Sequence, residues 1–112
     1  MSPIDRLVRI ADRLAVVKAG SAVADRTIHQ AIDRSGPVPP YTTDEVAART
    51  LLPPGFEWIT ATYAAGRVYA PCRRSGRDAD TLPFPHHGQW GRTLPLTMCG
   101  AAMRAWAMLA KG

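Results

Sequence analysis

Four arginines, a tryptophan and two histidines crowd into residues 73–92, RRSGRDADTLPFPHHGQWGR. Arg73, Arg74, Arg77 and Arg92 bracket His86, His87 and Trp90, and the glycines among them let backbone amides approach a ligand. Arginine presents a planar fork of donors that matches phosphate or carboxylate, and an indole face stacks on a base. Together these are the chemistry of a nucleotide or single-stranded nucleic-acid site. The competing account is a solvated loop whose charge merely aids solubility. No Gly-rich phosphate motif, helix-turn-helix or zinc-finger spacing accompanies the cluster, so the residue types alone carry the reading.

Other groups offer less. His86 and His87, with Cys72 or Cys99, are metal ligands in type. Adjacent histidines point to different sides of an extended chain, however, and no third ligand stands at a diagnostic spacing. No metal and no cofactor is expected. Cys72 precedes Arg73 and Arg74, a setting that would lower a thiol pKa. A nucleophile also needs an oriented base, and the sequence identifies none. Cys99 lies in an apolar stretch and reads as core. Asp78 and Asp80 sit beside arginines and read as exposed ion pairing, whereas Asp44 and Glu45 read as charges at a helix start. No catalytic residue emerges, and the expectation is a protein that is not an enzyme.

The elements that must position these groups follow from periodicity. Ile4, Leu7, Val8, Ala11, Leu14 and Ala15 recur at helical spacing over residues 3–18, opposite Asp5, Arg6, Arg9, Asp12 and Arg13. Ser2 and Pro3 supply a cap and a first-turn proline. A second helix is expected over 22–33, and the short connection makes a helical hairpin of residues 1–35. Next comes PPYTTDEVAARTLLPPGFEW, residues 39–58. Its prolines fix the passage into and out of a short helix capped by Thr43, with Val46, Ala47, Leu51 and Leu52 available to a core. FEWITATY is rich in β-branched and aromatic residues, with a phase change near Ile59 or Thr60. The pattern predicts that 56–63 pairs antiparallel with 67–70 across Ala64-Ala65-Gly66, burying Trp58. Pro71 cannot donate to a ladder and should mark the end of the return strand or an edge. Residues 41–72 thus form a short helix plus a β-hairpin. Residues 73–92 read as a basic loop with a short third strand at 81–84. Thr93 caps a mostly apolar helix over 93–111, expected to be central and covered on more than one side.

The chain has 112 residues, one domain by length, and a net charge of +5 carried mostly by arginine. Such a balance favours an anionic partner. Two cysteines are too few for a disulfide framework. The charged N-terminus has no signal-peptide core and no apolar run approaches the length of a bilayer span, so a cytoplasmic protein with reduced, unpaired thiols is expected. The fold class is α+β: a small antiparallel sheet of two to four strands with helices packed against it.

Several of these residues carry a resemblance. Pro40, Tyr41 and Thr42, then Gly55, Phe56 and Trp58, then Thr93, Pro95, Cys99, Ala101, Ala102, Arg104 and Ala105 occupy the places of a recurring pattern. It resembles a group of small phage and prophage proteins of unknown function, related to the phage ABA sandwich domain, a sheet with helices on both faces. The similarity spans residues 21–110. Phe56 stands where Trp is commoner, Pro54 where Glu is, and Met98 and Met103 where Leu is usual, swaps that conserve apolar volume at the helix positions. The resemblance implies a phage origin and a host-cell location but supplies no site residues. Combined with the charge, it leads to a non-enzymatic phage accessory protein that binds an anionic partner, a nucleotide or nucleic acid, or else a host protein. Such a protein would act in counter-defence by sequestering a nucleotide signal or blocking a host nucleic-acid-handling complex. The alternative is a structural or assembly protein of the particle, its apolar terminal helix serving an interface or a homo-oligomer.

Overall fold

In the computed structural model, residues 2–75 and 87–111 are described. The order is α1 (Pro3–Leu14), α2 (Ala22–Ala31), α3 (Glu45–Arg49), β1 (Phe56–Trp58), β2 (Thr62–Ala64), β3 (Arg67–Arg74), β4 (His87–Gly91) and α4 (Leu94–Lys111). The α+β class holds, with one small antiparallel sheet and helices packed against it. The first helix stops at Leu14, four residues short of the expected end.

The apolar terminal helix is the centre of the molecule. Thr93 opens α4, its hydroxyl oxygen accepting from the Leu96 amide. Leu96, Cys99, Ala101, Ala102, Met103 and Ala105 are fully buried, and α4 packs on the sheet, on α1 and on α3. Small residues let those neighbours come close. On the sheet, Val68, Ala70 and Cys72 form the buried face of β3.

The hairpin forms as expected, with a refinement at the phase change. Trp58 pairs with Cys72 and Thr62 with Tyr69, so four steps on one strand face three on the other. The extra residue is a β-bulge within 59–61, which splits the first strand into β1 and β2. That bulge explains why Pro71 does not end the strand, contrary to the sequence expectation. The Pro71 carbonyl accepts from Ile59 at 3.0 Å, so its nitrogen faces the same, bulged side, where no ladder bond is required of it. β3 therefore runs on through Arg73 and Arg74, which belong to the sheet and not to a loop. Its other edge is paired by β4, so a further strand lies at His87–Gly91; the one expected at 81–84 falls outside the described residues. Trp58 is half-buried, less enclosed than predicted.

Residues 39–58 are pinned from several sides. α3 has five residues, too short to persist alone. Asp44, not Thr43, is its N-cap, accepting from Val46 at 2.9 Å, and Val46 itself is exposed. The carbonyls left over at its C-terminal end each find a donor. Trp58 Nε1 donates to Arg49 (3.1 Å), Arg34 to Thr50 (2.6 Å) and Trp106 Nε1 to Leu51 (2.7 Å).

Upstream, Tyr41 and Thr42 are buried and their polar atoms are met by α2. One Asp25 carboxylate oxygen accepts from the Thr42 amide (2.8 Å) and hydroxyl (2.7 Å). His29 Nδ1 lies 2.8 Å from the Tyr41 hydroxyl, and its Nε2 lies 3.2 Å from the Ser35 carbonyl. Since a carbonyl only accepts, Nε2 carries the proton and the tyrosine donates to Nδ1. Below, Cys99 Sγ donates to the Tyr41 carbonyl at 3.2 Å. The Pro-Tyr-Thr segment thus latches α2 onto α4.

Gly20 touches this latch. A Cβ there would lie 2.5 Å from the Thr42 carbonyl oxygen, a backbone atom that cannot swing away. Gly20→Ala should therefore cost about 1–3 kcal/mol, the usual range for overpacking. A denaturation midpoint unchanged from the parent would contradict the tight approach.

Candidate functional site

Strand alternation divides the arginines between two faces. Arg67, Tyr69, Pro71 and Arg73 occupy the face of β3 opposite Val68, Ala70 and Cys72. On β4, Trp90 sits directly across from Tyr69, and the two rings stack at a tilt with centroids 5.3 Å apart. Gly88 leaves room for the tyrosine, since a side chain there would run into the Tyr69 hydroxyl. Trp90 is 41% exposed, so a large part of its indole is open to a ligand.

Beyond the aromatic pair, the hairpin end gathers positive charge. Val68 pairs with Gly91, so the next step of the same register sets Arg92 across from Arg67. Both are exposed, and both line a shallow cleft of about 440 Å³ with Tyr63, Ala65, Gly66 and Leu94. The two-residue turn has φ 52° at Ala65 and 75° at Gly66, the left-handed pair that a tight hairpin of this hand requires. Alanine adopts that conformation at a cost of about 1–2 kcal/mol, which the β2–β3 pairing on either side of this exposed turn offsets. Among the described residues, neither Arg67 nor Arg92 is in an ion pair.

The seven residues expected from sequence are therefore only partly gathered. Trp90, Arg92 and Arg73 share the outer face. Arg73 is engaged with Glu57, its cross-strand partner, at 3.4 Å. Arg74 lies on the opposite face, its guanidinium 5.4 Å from the Phe56 ring centre. Arg77 and His86 lie outside the described residues, and the backbone of His87 pairs with Cys72. Arg67 and Tyr69 were missed. The alternation of RVYA set them on one face, but only the pairing with β4 makes that face a site.

For Cys72 the structure reverses the direction of pKa shift that the neighbouring arginines suggested, while Cys99 is core as expected. Cys72 is fully buried, and burial pushes its thiol up from 9.0 to about 12, overriding the neighbouring arginines whose side chains point elsewhere. Cys99 is pushed up too, first by burial and then by the negative charge of Asp25. Both are free. Among the described residues no group of three His, Cys, Asp or Glu side chains could hold a metal ion. Unfolding releases both thiols to ionise near their ordinary pKa, while the folded chain holds them protonated. Folding stability should therefore be intact below about pH 9 and fall as pH rises towards about 12. Urea midpoints that do not decline between these limits would refute the burial argument. Native protein should also resist thiol reagents that label it readily once unfolded.

A separate polar chain fastens β4 to the helices. Gln89 is buried; its amide donates to the Ala11 carbonyl (2.8 Å) and its oxygen accepts from Arg104 Nε (2.8 Å). Arg104 in turn pairs with Asp12 at 2.6 Å. This fixes β4, and with it Trp90, against α1 and α4. Comparison with models of protein families, with curated proteins and with solved structures gave no match to this chain.

Proposed function

We propose that the chain is a non-enzymatic binding protein for an anionic partner that carries a nucleobase, and that the partner lies on the outer sheet face. The reading rests above all on the open Tyr69–Trp90 pair with Arg67 and Arg92 at its end. A base stacks on the exposed indole, and the two arginines take the phosphate. Three observations support a binding rather than a catalytic role. Both thiols are buried and held protonated, Asp44 is spent on a helix cap, and Asp25 and His29 are committed to the Tyr41–Thr42 latch.

A phage accessory protein acting in the host cytoplasm, sequestering a nucleotide signal or blocking a nucleic-acid-handling complex, suits such a surface. That part leans on the motif resemblance alone. Among the described residues no helix is long and apolar enough to cross a membrane. The reading as a particle assembly protein relied on an apolar terminal helix offered to a partner. Most of α4 is enclosed by the chain's own core, which leaves Met108 as its exposed large apolar side chain for such an interface.

A thermal-shift screen against cyclic and linear nucleotides, with inorganic phosphate alongside, tests the proposal. A ligand that binds only the folded state at a hundredfold excess over Kd adds about 2.7 kcal/mol, enough to raise Tm by several degrees. The proposal fails if no nucleotide stabilises the protein beyond the effect of phosphate.

A further inference from the structure

The two N-terminal helices enclose a feature that the sheet face does not explain. Between α1 and α2 runs a groove of about 520 Å³ with an apolar floor of Ile10, Leu14, Val17, Ala24 and Ile28. Val23 stands at its lip, 64% exposed. One wall carries Arg6, Arg9 and Arg13, and among the described residues none of the three is in an ion pair.

We propose that this groove receives an acidic amphipathic helix of a partner protein. Apolar floor and cationic wall together call for an occupant that is apolar on one side and anionic beside it. The arginines are spread over two turns of α1, about 10 Å at 1.5 Å per residue. A single carboxylate or phosphate on a small ligand bridges at most two neighbours and does not span from Arg6 to Arg13. A helix with glutamates spaced three and four residues apart meets all three, while its apolar stripe fills the floor. This is the helix-in-groove mode of recognition, with arginine setting the sign of the partner. The site stands independently of the nucleotide reading, because it shares no residue with the outer sheet face.

The test uses a labelled synthetic amphipathic helix with a leucine stripe flanked by glutamates, its glutamine counterpart, and vesicles of phosphatidylcholine with phosphatidylserine. Saturable binding of the glutamate peptide, about tenfold or more tighter than the glutamine peptide, is expected. Arg9→Glu and Val23→Lys should each weaken it by about tenfold or more. Both residues are exposed, and a melting curve for each variant verifies its fold. Saturating nucleotide should leave the affinity unchanged. The proposal is overturned if neither peptide saturates, if both bind equally, or if neither folded variant alters binding. Binding to the anionic vesicles in preference to the peptide would also overturn it, assigning the groove to a membrane surface instead.

Discussion

Tyr41→Ala should remove a large part of the stability of this protein. The ring is fully buried between α2 and α4, and truncation of a buried aromatic costs about 3–5 kcal/mol. The loss also strips His29 Nδ1 of its partner and removes an acceptor from Arg34. Against a total of about 5–15 kcal/mol for an ordinary domain, that is a large fraction. Tyr41→Phe keeps the ring and forfeits only the hydroxyl, so it should cost about 1–2 kcal/mol. Urea unfolding of the pair checks the claim. A Tyr41→Ala variant within about 1 kcal/mol of the parent would mean that the Pro-Tyr-Thr latch does not organise the fold.

The arginines should separate by face when nucleotide binding is measured. Charge-assisted contacts contribute about 1.5–3 kcal/mol each, so Arg67→Ala combined with Arg92→Ala should weaken binding by about a hundredfold or more. Exposed substitutions of this kind usually alter stability by under about 0.5 kcal/mol, so Tm should barely move. Arg74→Ala, on the other face against Phe56, should leave affinity as it was. Arg73→Ala should fall between, since Glu57 already holds that guanidinium. Equal losses at Arg74 and Arg67 would point to diffuse attraction to a basic protein. Loss at Arg74 alone would move the site to the opposite face.

The helices were readable because their signals are local: apolar spacing, a Ser-Pro start, and a long run broken only at Arg104 by charge. The hairpin was readable for the same reason, down to the phase change at Ile59–Thr60. Pro71 misled because the rule against proline in a central strand has an exception at bulges, and the bulge lies on the neighbouring strand. Residues 87–91 gave no strand signal, since HGQWG holds two glycines and no β-branched residue. Its pairing is enforced from outside, by Gln89 reaching Ala11 and Arg104 across 78 and 15 residues of sequence. The site inherited that blindness. Proximity in sequence grouped Arg73 with Arg74, whereas the sheet sends them to opposite faces. It also hid Arg67 and Tyr69, which lie earlier on β3 and meet Trp90 only through the pairing of β3 with β4.

The three tryptophan indoles report on this surface separately. Trp58 and Trp106 donate to carbonyls at the end of α3, on the helical side, and Trp90 lies open beside Tyr69. A ¹H–¹⁵N spectrum recorded during titration with nucleotides follows all three Nε1–H signals at once. Binding on the outer sheet face should shift the Trp90 indole and the amides of Arg67 and Arg92 saturably, leaving the Trp58 and Trp106 indoles in place. A Trp90 signal that stays fixed while others move, or a spectrum unmoved by every nucleotide, would contradict it.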